Sequence, residues 1–184
     1  MAKPTLSSYI RENLDGISKK KEPGPYITIS RQYGCDGYEL GDLLQKRIEE
    51  RSGENWHLYK KEMLKHLAED TGLTEEVIEK ERLSKPSLLK DFFRGIRKAG
   101  IPDGYEIRNK ITVMVRTVAF EGHAIIMGQG GTAAASDLSN GLSVRIEAPK
   151  DWRMIRVSRR ESLSKEAASA RIDQVEKDRR YLRK

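Results

Sequence analysis

Apolar positions along this chain follow two rhythms. Short runs rich in apolar or β-branched residues occur at Tyr26-Ile27-Thr28-Ile29-Ser30, Trp56–Tyr59, His123–Met127 and Leu142–Glu147. Runs of that length and continuity predict buried strands. Elsewhere the spacing is helical. Tyr38–Arg51 places Leu40, Leu43, Leu44 and Ile48 along one side, and Tyr105–Glu121 carries Ile107, Ile111, Val115, Val118 and Ala119. Lys150–Glu161 and Lys165–Tyr181 also read as helices. The middle predicts further helices at Lys60–Asp70 and Thr74–Leu83, the second opened by Thr74 and Glu75-Glu76. Lys85-Pro86 interrupts the pattern, and it resumes weakly over Ser87–Ala99.

Strands alternating with helices predict an α/β fold in three layers around a parallel sheet. The strand at Ile27–Ser30 is expected in its centre, flanked by those at Ile125–Met127 and Leu142–Glu147, because these runs are the most continuously apolar or β-branched. In such sheets ligands bind at the carboxyl ends of the strands. Two of the connections leaving those ends are rich in glycine, residues 31–37 and 128–131. Strand, glycine loop, helix is the layout of a phosphate cradle, in which backbone N–H groups and a helix N-terminus face the anion. A tight turn with no ligand accounts for Gly34 and Gly37 as well, and the strict pattern G-x-x-x-x-G-K-[ST] is absent.

Composition narrows the class. A chain of 184 residues suits one domain with one core. Residues 1–24 read as an extension, with a short amphipathic helix at Ser7–Leu14 and the linker KKKEPGP, and residues 25–184 as the domain. No apolar run approaches the roughly 18 residues that span a bilayer, the first residues lack the apolar core of a signal peptide, and Cys35 is the single cysteine; the cytoplasm is the expected compartment. The net charge is +7, and Asp151–Lys184 holds eleven Lys/Arg against six Asp/Glu, a net of +5. Such a segment attracts polyanions or forms a solvated helix surface.

At this point the motifs carry a resemblance. ITISRQYGCDGYELG is similar to the opening of the cytidylate-kinase-like family, a strand followed by S-R-[EQ]-Y-G-S-G-G and a helix. AIIMGQGG resembles its strand followed by G-R-G, VRIEAPKDWRMIRVSRRE its next strand, A-P turn and arginine-bearing helix, and SKEAASARIDQVEKDRRYLRK its lid. The resemblance runs in order from about Tyr26 to Lys184. It implies a P-loop nucleoside monophosphate kinase fold and phosphoryl transfer from ATP to a nucleoside monophosphate, with Mg²⁺. On that resemblance Ser30, Arg31, Gln32, Tyr33, Gly34, Cys35, Asp36, Gly37 and Tyr38 form the cofactor cradle. Arg31, Arg156, Arg160 and Arg179 are the catalytic cations, and Gly128, Gln129, Gly130 and Arg153 bind the acceptor. Guanidinium groups stay charged and bind phosphate bidentately. The region 60–121 would be the helical acceptor side and 162–184 the lid with a basic C-terminal helix. The resembling proteins continue into a last strand, so the sheet is expected to lack it.

Some positions depart from the family pattern. Asp36 stands where the family has glycine, either repelling a phosphate or forming a capping box with Glu39. Gln129 replaces the arginine of G-R-G, and no lysine follows the loop. Tyr33 reads as a loop anchor or a base contact. Trp56 and Trp152 read as packing residues, Cys35 as a small polar substitute, and His57, His66 and His123 lack metal-ligand spacing. Two further readings stand beside the kinase: a nucleotide- or anion-binding protein of the same fold without catalysis, and a nucleic-acid-binding module using the basic C-terminus. The last lacks the interleaved aromatic and basic residues of RNA-binding sheets, so nucleic acid is not the expected partner. Small nucleotides are, and no membrane is.

Overall fold

The structure, a computed structural model, describes residues 22–61, 65 and 104–181. The helices read at Ser7–Leu14, Thr74–Leu83 and Ser87–Ala99, most of the one at Lys60–Asp70, and His66 lie outside the described residues. Four strands, β1 (Tyr26–Arg31), β2 (His57–Tyr59), β3 (Ala124–Met127) and β4 (Gly141–Ile146), form one parallel sheet in the order β2-β3-β1-β4. The run at Ile27–Ser30 thus lies inside the sheet between β3 and β4, as its apolar continuity predicts. The helices are α1 (Tyr38–Ser52), α2 (Gly104–Glu121), α3 (Gly131–Ala134), α4 (Lys150–Glu161) and α5 (Lys165–Tyr181). Of these only α3, one turn inside a glycine loop, has no counterpart in the sequence pattern.

Period-two alternation along β1 and β3 builds the three layers. Tyr26, Ala124 and Ile126 pack with Ile107, Ile111, Met114, Val115, Val118 and Ala119 of α2 on one face. Ile27, Ile29, Ile125 and Met127 point to the other, where Tyr38, Leu44 and Ile48 of α1 cover them. Ile125, Ile126 and Met127 are fully buried, each contributing about 1.5–3 kcal/mol relative to exposure. The predicted stripe on α1 needs correction: Leu40 and Leu43 are exposed, and the buried position is Gly41. A Cβ on Gly41 would lie 3.0 Å from Met127 Cε and 3.1 Å from Leu58, so the missing side chain lets α1 sit close on the sheet.

On the α2 face the Tyr26 hydroxyl donates within reach of two carbonyls, Ala135 (2.8 Å) and Leu138 (2.9 Å), tying α3 to β1. Among the described residues β4 is an outer strand with mostly exposed side chains. The connection leaving β1 leads to β2, beyond β3, whereas the one leaving β3 leads back past β1 to β4. β1 and β3 are neighbours whose chains depart in opposite directions, which opens a crevice at their carboxyl ends. Both glycine loops border it.

Candidate functional site

The first loop, residues 32–37, runs from β1 to α1. It is pinned at its start: the Gln32 N–H donates to Ile146 O (3.0 Å), the Gln32 side-chain oxygen accepts from the Ala148 N–H (3.1 Å), and the Cys35 N–H closes a turn onto Gln32 O (3.1 Å). Gly34 has φ +91, the left-handed region that glycine enters without a steric cost. A Cβ there would meet Arg153 Cβ at 2.9 Å, so the loop also lies tight against α4. α1 then begins with Gly37 as its N-cap and no side-chain cap bond. Its first backbone donors and the positive end of its dipole therefore face the crevice.

The capping box expected from Asp36 and Glu39 does not form. The helix starts one residue later than that motif requires, and Asp36 makes only a long contact to the Tyr38 N–H (3.4 Å). Its exposed carboxylate pairs instead with Arg156 at 3.7 Å. Ser30 Oγ donates to Val144 O (3.3 Å). The Arg31 guanidinium crosses the crevice, 4.9 Å from the Tyr38 ring centre and against Gly128, where a Cβ would come within 3.0 Å of Nη1. Gly37 faces the Arg31 stem, Ile146 and Met127.

The second loop holds three successive left-handed residues, Gly128 (φ 75), Gln129 (φ 56) and Gly130 (φ 74), leading into α3. Gln129 Nε2 lies 3.4 Å from Lys60 O, and its Oε1 is buried without a hydrogen-bond partner. Lys60, at the end of β2, binds Asp42 of α1 (2.7 Å) and lies 5.8 Å from the Tyr38 ring centre. Lys60 and Asp42 thus join the crevice, although neither carried a motif in the sequence.

The arginines of α4 and α5 divide into different roles. Arg153, Arg156 and Arg160, which spacings of three and four place near one helical face, diverge. Arg153 is buried, donates to Ala148 O (3.0 Å) and Tyr33 O (3.1 Å), and lies 3.9 Å from Glu176. Its guanidinium holds the loop to α4, and the acceptor role implied for it gains no support. Arg156 faces outward, pairs with Asp36 and stacks 4.7 Å from the Trp152 ring centre. Trp152 is 45% exposed, a correction to its expected packing role; Trp56 does pack, beneath α1.

Arg160, Arg171 and Arg179 surround the Tyr33 ring at 5.1, 5.9 and 5.3 Å from its centre. Tyr33 itself is an anchor. Its ring joins the apolar contact between α4 and α5 formed by Val157, Ala168 and Ile172. Its hydroxyl donates to Glu161, its backbone N–H donates to Glu176 Oε1 (2.6 Å), and Arg179 reaches Arg31 O at 3.4 Å. Burial alone would raise the Glu161 carboxyl, but hydrogen bonds from Tyr33 and Arg160 and the charges of Arg160 and Arg171 outweigh it and hold the group below its ordinary range. Cys35 is buried, which pushes its thiol up despite Arg153 nearby. Glu161, Glu176 and Arg171 carried no signal in the sequence; Tyr33, which all three meet, lies far away along the chain.

The structure therefore brings Arg31, residues 32–38, Gly128–Gly130, Arg156, Arg160 and Arg179 around one end of the sheet. Among the described residues no three of His, Cys, Asp and Glu converge on a metal position, and no helix is long and apolar enough to cross a membrane. Residues 26–184 match the model of the cytidylate kinase-like family. The fold is similar to a crystal structure of an uncharacterized protein from Eubacterium ventriosum ATCC 27560, at 22% identity over 86% of this chain and 75% of that one, with a TM-score of 0.52. That likeness bears on the fold alone. No curated protein is significantly similar to the chain.

Proposed function

The chain belongs to the cytidylate kinase-like family, and from that premise we propose that it transfers a phosphoryl group from ATP to a nucleoside monophosphate. The observation that supports this most is an α1 N-terminus without a side-chain N-cap bond beside Arg31 at the crevice, with Arg179 reaching the Arg31 carbonyl from the group of cations around Tyr33. Phosphoryl transfer asks the protein for little covalent chemistry; it needs positioning and cations around the transferring group. In this reading the loop 30–38 receives the donor phosphates on its backbone N–H groups. Arg31 supplies a charge fixed by Tyr38 and Gly128. Arg156, Arg160 and Arg179 turn from their present partners to phosphate oxygens. Gly128, Gln129 and Gly130 face the acceptor, where the Gln129 amide replaces a charged donor with a neutral one. Arg153 holds the loop in shape.

Mg²⁺ takes one or two protein carboxylates beside nucleotide phosphates and waters. Asp42 of α1, beside Lys60 at the crevice, fits that modest donor set and would hold the ion, which when bound neutralises phosphate charge. A second reading, nucleotide binding without transfer, is favoured by Gln129, whose neutral amide stands on the acceptor side where the family pattern has a charged arginine. The test is a coupled ADP-release assay with Mg²⁺ and ATP over a panel of nucleoside monophosphates, run beside calorimetric titration of ATP. Turnover that depends on one monophosphate supports the kinase. ATP binding with no turnover on any acceptor supports the second reading, and no ATP binding at millimolar concentration refutes both.

A further inference from the structure

We infer that Glu176 is an internal anion that latches the lid onto the phosphate loop and must be displaced before a nucleotide phosphate can settle there. The inference rests on the loop being the donor-phosphate site. Glu176 Oε1 accepts the Tyr33 N–H at 2.6 Å, across 143 residues of sequence, and its side chain is only 16% exposed. A carboxylate and a phosphate oxygen compete for the same kind of donor, because both are anionic acceptors of backbone N–H groups. In the resting chain that donor is taken by α5 itself.

The contact does not stand alone. Arg179, one turn further along α5, reaches the Arg31 carbonyl at the end of β1. The Tyr33 hydroxyl donates to Glu161 at the last turn of α4, and Glu161 also pairs with Arg160 (2.7 Å) and Arg171 (3.5 Å). The two acids therefore do two linked things: Glu176 covers a loop donor, and Glu161 holds two of the cations that surround Tyr33. A polyphosphate brings several negative charges to a place where Glu176 brings one. It takes the Tyr33 N–H, turns Arg160, Arg171 and Arg179 toward itself, and frees α5 from the loop. A ligand without that charge leaves the latch shut, so Glu176 sets both the resting position of the lid and the loop's preference for polyphosphates.

The experiment uses the full chain with Glu176→Ala and Glu176→Gln. Amide hydrogen exchange at Tyr33 is measured without ligand, and ATP with Mg²⁺ and inorganic tripolyphosphate are titrated by calorimetry. Far-UV circular dichroism and thermal melts check folding, and Glu176→Gln, which keeps an acceptor but no charge, serves if Glu176→Ala melts early. The latch predicts faster exchange at Tyr33 in Glu176→Ala and about tenfold tighter binding of both ligands, the equivalent of ~1.4 kcal/mol, with Glu176→Gln between it and the parent. Faster exchange with unchanged or weaker binding, where the parent binds ATP, overturns the latch and leaves the nucleotide reading standing. Unchanged exchange at Tyr33 overturns the contact itself. If neither parent nor variants bind ATP or tripolyphosphate, the nucleotide reading fails and the latch with it.

Discussion

Asp36→Asn isolates one charge at the mouth of the loop. Asp36 sits where a phosphate approaching the first turn of α1 would pass, and its carboxylate is held by a long contact to the Tyr38 N–H and a 3.7 Å pair with Arg156. Both Asp36 and Arg156 side chains are nearly half exposed, so their pair contributes about 0–1 kcal/mol to stability. Asparagine keeps an acceptor for Tyr38, and Gly37 rather than Asp36 is the N-cap. The expected change in melting temperature is within about 2–4 °C, the shift for ~1 kcal/mol in a domain of this size.

Binding should change more. A unit charge about 6 Å from a phosphate charge costs roughly 0.7–1.4 kcal/mol at an effective dielectric constant of about 40–80. Two net charges on a magnesium nucleotide bring the gain from removing it to about 1.4–2.8 kcal/mol, or roughly 10–100-fold in affinity. Arg156, freed of its partner, adds to the same direction. The assay is calorimetric titration of ATP with Mg²⁺ at about 0.1 M and about 1 M salt, where the screening length falls from ~10 to ~3 Å. Glu50→Gln, near the far end of α1, changes net charge equally and serves as the control. Tighter binding by Asp36→Asn alone, shrinking with salt, is the expected result. Unchanged or weaker binding would refute the repulsion argument, and equal gains in both variants would reduce it to net charge.

Three other outcomes follow from the geometry. Arg153→Ala should lower stability by about 3–5 kcal/mol, since it removes a buried cation and leaves two carbonyls and Glu176 without it; Arg156→Ala should lower it by under about 1 kcal/mol, and urea denaturation of both compares them directly. Equal losses would mean the inward and outward assignments are wrong. Gly34→Ala places a Cβ at φ +91 and 2.9 Å from Arg153 Cβ, and should cost about 2–4 kcal/mol in the same experiment; a neutral effect would show that the loop relaxes freely. Cys35, whose buried thiol is pushed up, should react with iodoacetamide far more slowly than a free thiol at neutral pH and speed up on unfolding, and labelling at the free-thiol rate would contradict its burial.

Hydrophobic period was enough to find the layers of this protein. The apolar run at Ile27–Ile29 cannot be solvated on either face, and the spacing of Ile107, Ile111, Val115 and Val118 commits α2 to one side of a sheet. Both are local properties, so the strands and α1, α2, α4 and α5 were legible within a residue or two of their bounds. The glycine loops were legible too, because Gly34, Gly128 and Gly130 hold left-handed conformations that few other residues enter. What the arginines do was not. Helical spacing puts Arg153 and Arg156 near one another but is silent on which will meet the loop's carbonyls and which will meet water; that depends on the surface against which α4 packs. Trp152 lies outward and Gly41 inward for the same reason. Tyr33 meets Glu161 and Glu176 only because α4 and α5 fold back against the loop that follows β1, and a carboxylate 143 residues away leaves no trace in a local pattern. Sequence period determines which residues leave water, and tertiary packing decides which charges find each other.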